Sequence, residues 1–157
     1  MIRNNEEQLL FICREESMTM ISRSVEIMAD PDRVYDLISR VEEFSLYSDL
    51  IDSIREIAPK TYHWRAKLGA INIEWDAVII EENRPWRFAW QSIKGFKNSG
   101  SYTLSPSGSG TKVCFEMEFH LPVSILEKAL SPLSDRYMNR LSEEILGKIK
   151  KRLERKQ

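Results

Sequence analysis

The stretch from Tyr62 to Ser92 constrains this chain more than any other, because apolar and polar residues alternate there through three successive segments. Tyr62, Trp64, Ala66 and Leu68 alternate with His63, Arg65 and Lys67. After Gly69-Ala70, the residues Ile71, Ile73, Trp75 and Ala77 alternate with Asn72, Glu74 and Asp76. A period of two describes a strand with one dry face. A two-residue loop that begins with Gly selects a tight hairpin, which pairs Leu68 with Ile71, Ala66 with Ile73, Trp64 with Trp75 and Tyr62 with Ala77. The same register sets Arg65 opposite Glu74 and His63 opposite Asp76, so the charged face and the apolar face agree on one pairing.

Beyond Asn83-Arg84-Pro85, where proline fixes φ and marks a turn, the pattern resumes as Trp86, Phe88, Trp90 and Ser92 against Arg87, Ala89, Gln91 and Ile93. All four tryptophans of the chain are thereby expected on one face of three strands. Rings of this size are ordinarily core. The alternative is that they wall a cavity for an apolar ligand.

The flanking segments supply the rest of a fold. Met18 to Met28 reads as a strand, with Ile21, Val25 and Ile27 on one face and Arg23 breaking it. Asp30-Pro31 is a helix start, with Asp as N-cap and Pro at the first helical position, followed by Val34, Leu37, Ile38 and Val41 at helical spacing. This helix is expected to continue or restart through Glu42 to Tyr47. Ile51 to Ala58 reads as a strand, Lys94 to Ser99 as a loop, Gly100 to Ser105 as a strand, and Pro106 to Gly110 as a turn. Thr111 to Leu121 reads as a last strand, with Val113, Phe115, Met117 and Phe119 facing one way. Pro122 ends the sheet, a short apolar helix runs to about Leu130, and a longer helix begins at Ser131-Pro132. In it Leu133, Tyr137, Leu141, Ile145, Ile149 and Leu153 recur every fourth position, supplemented by Met138 and Leu146. This order suits an α+β fold in which a curved antiparallel sheet wraps around the long C-terminal helix. One domain is expected over 1–157, with an N-terminal extension at 1–17, strands and short helices at 18–122 and a C-terminal helical segment at 123–157.

Charge and composition exclude several classes. Lys and Arg total 23 against 24 Asp and Glu, a net charge of -1, which makes no case for a nucleic-acid partner. The apolar run Leu9 to Cys13 is too short for a signal peptide or a membrane span, so no stable membrane insertion is expected. Cys13 and Cys114 form no CxxC motif and read as free thiols in a reducing cytoplasm. With no His/Cys cluster of ligand spacing, no metal and no cofactor is expected. His63 and His120 fall on the charged face, and no Ser/His/Asp set or carboxylate pair converges on the dry one, so no catalytic residue is assigned. The basic last turns, Lys148 to Lys156, complement the helix dipole and read as a solvated face. A monomer or weak homodimer is expected.

Several motifs in order carry a family resemblance: Ser24-Val-Glu-Ile-Met-Ala-Asp-Pro-Asp-Arg-Val-Tyr-Asp-Leu-Ile38, Trp75-Asp-Ala-Val-Ile, Arg84-Pro85, Trp90-Gln-Ser92, Gly95, Gly100-Ser-Tyr-Thr-Leu-Ser-Pro106 and Gly110-Thr-Lys-Val113. Over about residues 18 to 122 the chain resembles the SRPBCC or START-like helix-grip superfamily, and most closely its polyketide cyclase/dehydrase-type branch. The resemblance implies a deep hydrophobic cavity for a lipid, quinone or polyketide-like aromatic, with inward polar residues Ser92, Tyr62 and Tyr102 as donors to a ligand oxygen. Trp90, Ser92 and Lys94 share one face at strand spacing and could hold an enolate oxygen; the favoured alternative is that Ser92 satisfies a backbone group and Lys94 lies in the loop. The ligand-binding residues expected are Tyr62, Trp64, Trp75, Trp90, Ser92, Tyr102, Phe115 and Met117. Binding of a small hydrophobic molecule is thus the first expectation. The alternatives are a cyclase or dehydratase acting on a polyketide-like chain, and an interaction module of the toxin-like START type that docks through Leu9 to Ile12 or the basic tail.

Overall fold

A computed structural model describes residues 17–121 and 131–155. The expected N-terminal extension, the docking segment Leu9 to Ile12 and the short helix ending near Leu130 lie outside the described residues, as does the side chain of Leu133. Seven strands form one antiparallel sheet: β1 (Ser17–Ile27), β2 (Ile51–Ala58), β3 (Thr61–Leu68), β4 (Ile71–Asn83), β5 (Arg87–Gly95), β6 (Asn98–Ser107) and β7 (Gly110–Leu121). Their order across the sheet is β1-β7-β6-β5-β4-β3-β2, so β1 and β2, neighbours in sequence, form opposite edges. Between them run α1 (Pro31–Ile38) and a 3-10 helix (Val41–Leu46), and the chain ends in α2 (Ser131–Glu154). This is the expected helix-grip arrangement. The Asp30 side chain accepts from the Arg33 N–H at 3.1 Å, and Pro31 opens α1, as the N-cap argument requires.

The β3–β4 hairpin adopts the expected register throughout, with Trp64 opposite Trp75 and Tyr62 opposite Ala77. Gly69 takes φ 65° at the first turn position, a backbone region that costs glycine nothing. On the outer face Arg65 Nε lies 2.8 Å from Glu74 Oε1, and His63 Nδ1 lies 2.6 Å from Asp76 Oδ1. Exposed pairs of this kind contribute about 0.2–1 kcal/mol each, so the apolar face decides the register and the charges follow it.

Bulges bend the sheet and explain its exposed isoleucines. In β2–β3 the register slips between Glu56 and Ala58, and in β4–β5 between Ile79 and Glu81 and again between Asp76 and Ala77. Ile57, Ile80 and Ile93 are the unpaired extra residues at these slips, and each is exposed. Strict alternation therefore does not survive to the end of β5. Past the bulge, Lys94 pairs with Asp76 on the outer face, which overturns the expected shared face of Trp90, Ser92 and Lys94.

Trp86 also departs from the expected single face. Its N–H closes a turn on the Asn83 carbonyl at 2.7 Å, β5 begins only at Arg87, and the ring is 41% exposed. The expected loop from Lys94 to Ser99 is shorter than the sequence suggests. Gly95 still pairs with Trp75 at φ 81°, where a Cβ would stand 2.3 Å from the Glu74 carbonyl oxygen, and β6 resumes at Asn98.

Helix α2 lays Met138, Ile145, Leu146, Ile149 and Leu153, all buried, into the concave face. Polar contacts on both flanks set its pose. Towards β1, Arg23 reaches Asn139 at 3.1 Å and Glu143 at 2.9 Å, and Lys150 donates to the Glu26 carbonyl at 2.6 Å. Towards the 3-10 helix, Ser48 donates to Glu144, while Arg152 donates to Glu43 and to the Tyr47 hydroxyl, each at 2.9 Å. Two cations of the basic tail are thus tethers. Ile149 is fully buried, so Ile149→Ala is expected to lower unfolding stability by about 2–5 kcal/mol in urea denaturation. A loss under about 1 kcal/mol would mean that the stripe is not core.

Candidate functional site

Where the sheet and α2 diverge, inward side chains enclose a cavity of about 70 Å³. Seven of the eight expected site residues line it: Tyr62, Trp64, Trp75, Trp90, Tyr102, Phe115 and Met117. The rings form one continuous chain. Phe96 meets Trp75 edge-on with centroids 5.6 Å apart, Trp75 stacks on Trp64 at 5.3 Å, and Trp64 touches Phe44 at 6.2 Å. Phe44 in turn reaches Tyr102 at 6.2 Å, and Tyr102, Phe115 and Trp90 pack as a trio with centroids 5.2–6.0 Å apart. Aromatic pairs in these geometries add about 0.5–1.5 kcal/mol each beyond their area.

Phe44 joins the two halves of this chain and was not among the expected site residues. The signal for it is the spacing Val41, Phe44, Tyr47, a repeat of three that matches a 3-10 helix, and all three side chains are buried. Gly100 makes the second half possible. A Cβ there would stand 2.4 Å from Trp90 Cζ2 and 2.6 Å from the Glu116 carbonyl oxygen, so the indole lies directly against bare backbone.

Ser92 is the one expected site residue that does not line the cavity. Its Oγ accepts the Asn98 backbone N–H at 3.0 Å, and it faces a separate groove between β5 and β6. The buried amide at this place is Asn98, which is 4% exposed, lines the cavity, accepts the Trp90 indole N–H at 3.0 Å and donates to the Phe96 carbonyl at 3.0 Å. Asn98 sits in a segment that reads as loop, between Lys97 and Ser99, and no periodicity marks it as inward.

Two phenols bring oxygen to the cavity wall. Burial, reinforced by the Glu56 carboxylate that its hydroxyl bonds, pushes the Tyr62 phenol up to about 12. Tyr102 is 2% exposed, and burial alone raises its phenol well above the ordinary value of 10.0. No hydrogen bond joins its hydroxyl to another described residue. It therefore stays neutral across the physiological range, a donor and an acceptor awaiting a partner. Leu50, Lys67, Tyr137 and Leu141 also line the cavity, with the Tyr137 ring 3.7 Å from where a Gly69 Cβ would be.

Two outcomes test this geometry. Gly100→Ala is expected to displace the Trp90 ring, shifting its emission and costing about 1–3 kcal/mol through overpacking; an unchanged spectrum and melting temperature would contradict the close approach. Because the Tyr102 phenol holds its proton more tightly folded than unfolded, its contribution is constant below about pH 10 and stability falls as pH rises above that value. Tyr102→Phe should flatten the alkaline loss measured by thermal unfolding, whereas an identical slope would place the hydroxyl in water.

The chain is similar to proteins that share this architecture. It is 26% identical over 139 residues, 87% of this chain and 91% of the other, to an uncharacterised 17.2 kDa protein of Streptomyces lincolnensis. The solved structure of TTHA0849 from Thermus thermophilus superposes with a TM-score of 0.76 at 23% identity, over 86% of this chain and 97% of that one. The Zhui aromatase/cyclase from a Streptomyces species superposes with a TM-score of 0.62 at 13% identity, over 87% and 96%. The fold is accordingly that of the START/Bet v1 superfamily. Residues 18–154, which include both the aromatic chain and the helix that covers it, match the family described as polyketide cyclase/dehydrase and lipid transport, and the chain belongs to that family.

Proposed function

We propose that this protein binds a small apolar molecule carrying a ring and at least one oxygen, in the cavity between the aromatic chain and α2, with the Tyr102 hydroxyl orienting that oxygen. The observation that carries the reading is the Tyr102 phenol, buried against Phe44, Trp90 and Phe115 and without a partner among the described residues. A neutral hydrogen bond from this hydroxyl to a ligand oxygen would contribute about 0.5–1.5 kcal/mol. A largely apolar wall with a few convergent polar groups is the usual make-up of a small-molecule site. Family membership supports a ligand-binding or cyclase role in general terms.

The free space of about 70 Å³ is smaller than the ~150 Å³ that admits benzene, so the wall must give when a ring enters. Tyr137 and Leu141, both only half-buried, are the lining side chains of α2 best placed to move. At about 24 cal/mol per Å³ the residual void itself costs about 2 kcal/mol, which occupancy would offset. Among the described residues no helix is long and apolar enough to cross a membrane.

The test is a titration of intrinsic tryptophan emission with a quinone and with the hydrocarbon of the same ring skeleton. Saturable quenching by both is expected. Tyr102→Phe should weaken the quinone by about 0.5–1.5 kcal/mol and leave the hydrocarbon unchanged. No saturable quenching by quinones, fatty acids or polyketide-like aromatics would leave the rings as packing alone.

A second reading uses the same phenol. A neutral donor held in a dry cavity can polarise a carbonyl and stabilise the enolate that a cyclisation passes through. It takes precedence if Tyr102→Phe abolishes turnover of a poly-β-ketone analogue while its affinity stays intact.

A further inference from the structure

A second groove adjoins the cavity, and Asn98 lines both. The β5–β6 ladder ends at Gln91 opposite Ser99, after which β5 continues along β4 to Gly95 while β6 begins only at Asn98. The two strands part there and leave a groove of about 540 Å³ lined by Ser92, Lys94, Lys97, Asn98, Glu118 and His120 among others. We propose that this groove is a subsite for an oxyanion, a phosphate or a carboxylate, held chiefly by Lys94 and Lys97, and that Asn98 couples its occupancy to the aromatic cavity.

The donors are present and uncommitted. Lys94 and Lys97 are exposed and make no ion pair or side-chain hydrogen bond among the described residues, although Asp76 is the register partner of Lys94; that carboxylate is engaged by His63 instead. The Ser92 Oγ accepts the Asn98 N–H, so its own proton is free to point outward. Asn98 spends one amide hydrogen on the Phe96 carbonyl and keeps a second. His120, whose backbone N–H is held by the Lys97 carbonyl at 3.0 Å, has a buried Nδ1 with no hydrogen-bond partner, a polar atom that a small turn of the ring would offer to a guest oxygen. One group opposes an anion: Glu118, whose Oε1 lies 3.4 Å from His120 Nε2. Two ammonium groups against one carboxylate leave the groove net positive, and phosphate or carboxylate oxygens match its donors.

The coupling has a stated route. Asn98 lines both the groove and the cavity, and its Oδ1 is the acceptor for the Trp90 indole N–H. An anion that draws the Asn98 amide outward changes the hydrogen bond that holds a ring of the cavity wall. The inference goes beyond the ligand proposed for the cavity and stands without it.

Titration with inorganic phosphate at constant ionic strength, followed by proton–nitrogen NMR, tests it. Saturable shifts are expected at the amides of 94–99 and at the indole N–H of Trp90, with no matching response to chloride. Lys94→Gln/Lys97→Gln, which alters only exposed side chains, should weaken phosphate by roughly tenfold or more, and Glu118→Gln should tighten it severalfold. Hexyl phosphate and hexanol separate the sources. If hexyl phosphate binds roughly tenfold tighter than either phosphate or hexanol, the anion is the head group of an amphiphile that also occupies the cavity. If it binds no tighter than phosphate, the groove takes a free anion. Hexanol failing to bind while phosphate succeeds would remove the cavity reading and leave the groove. Equal shifts with chloride, or phosphate affinity unchanged in the double lysine variant, would overturn the subsite; amide shifts without movement of the Trp90 indole would overturn the coupling.

Discussion

The burial of one helix stripe organises this molecule. Met138, Ile145, Leu146, Ile149 and Leu153 need an apolar surface, and the concave face of the seven-stranded sheet supplies it. A bent sheet and a straight helix cannot stay in contact along their whole length. Towards the C-terminal half of α2 the two close completely, with Ile149 fully buried, whereas near Tyr137 and Leu141 they diverge and the side chains are only half-buried. The polar tethers of Asn139 and Lys150 to β1, and of Glu144 and Arg152 to Ser48 and Glu43, hold the helix in that attitude. The cavity is what remains at the diverging end, and the rings of β3, β4, β5, β6 and β7 line it because inward positions of those strands have nothing else to meet.

The same geometry explains why the site is aromatic and nearly dry. Large rigid rings fill a tapering gap at little entropic cost and stack across strands, as Trp64 does on Trp75. Polar groups are admitted only where each has a stated partner, as the Trp90 indole has in Asn98, or where a guest can provide one, as at Tyr102. Binding and catalysis differ in this setting by very little: a phenol that orients a carbonyl also polarises it. That is how one shell can serve carriers and cyclases.

Much of this was legible in the sequence because two independent patterns coincided. The β3–β4 register satisfies ring stacking on one face and the Arg65–Glu74 pair on the other, and no slipped register satisfies both. What escaped was local irregularity. A bulge at Ile93 breaks the parity that carried Lys94 onto the face of Trp90, the Ser92 hydroxyl is taken up by the Asn98 N–H, and a turn bond from the Trp86 N–H to Asn83 delays β5 by one residue. Phe44 lies on a 3-10 helix, whose repeat of three through Val41, Phe44 and Tyr47 departs from the four-residue spacing of an α-helix. Asn98 acts through contacts to Ser92, Phe96 and Trp90 that depend on where two strands part, a tertiary event with no signature in residue order.

The central claim is that a small oxygen-bearing apolar molecule occupies the aromatic cavity. Isotope-filtered nuclear Overhauser contacts between an unlabelled quinone and the labelled protein test it most directly. The account predicts contacts from the ligand ring to Trp64, Trp75, Trp90 and Phe115, with the Tyr102 ring carbons within reach of the ligand oxygen. Contacts confined to exposed side chains such as Ile80, Trp86 or Ile93 would contradict it.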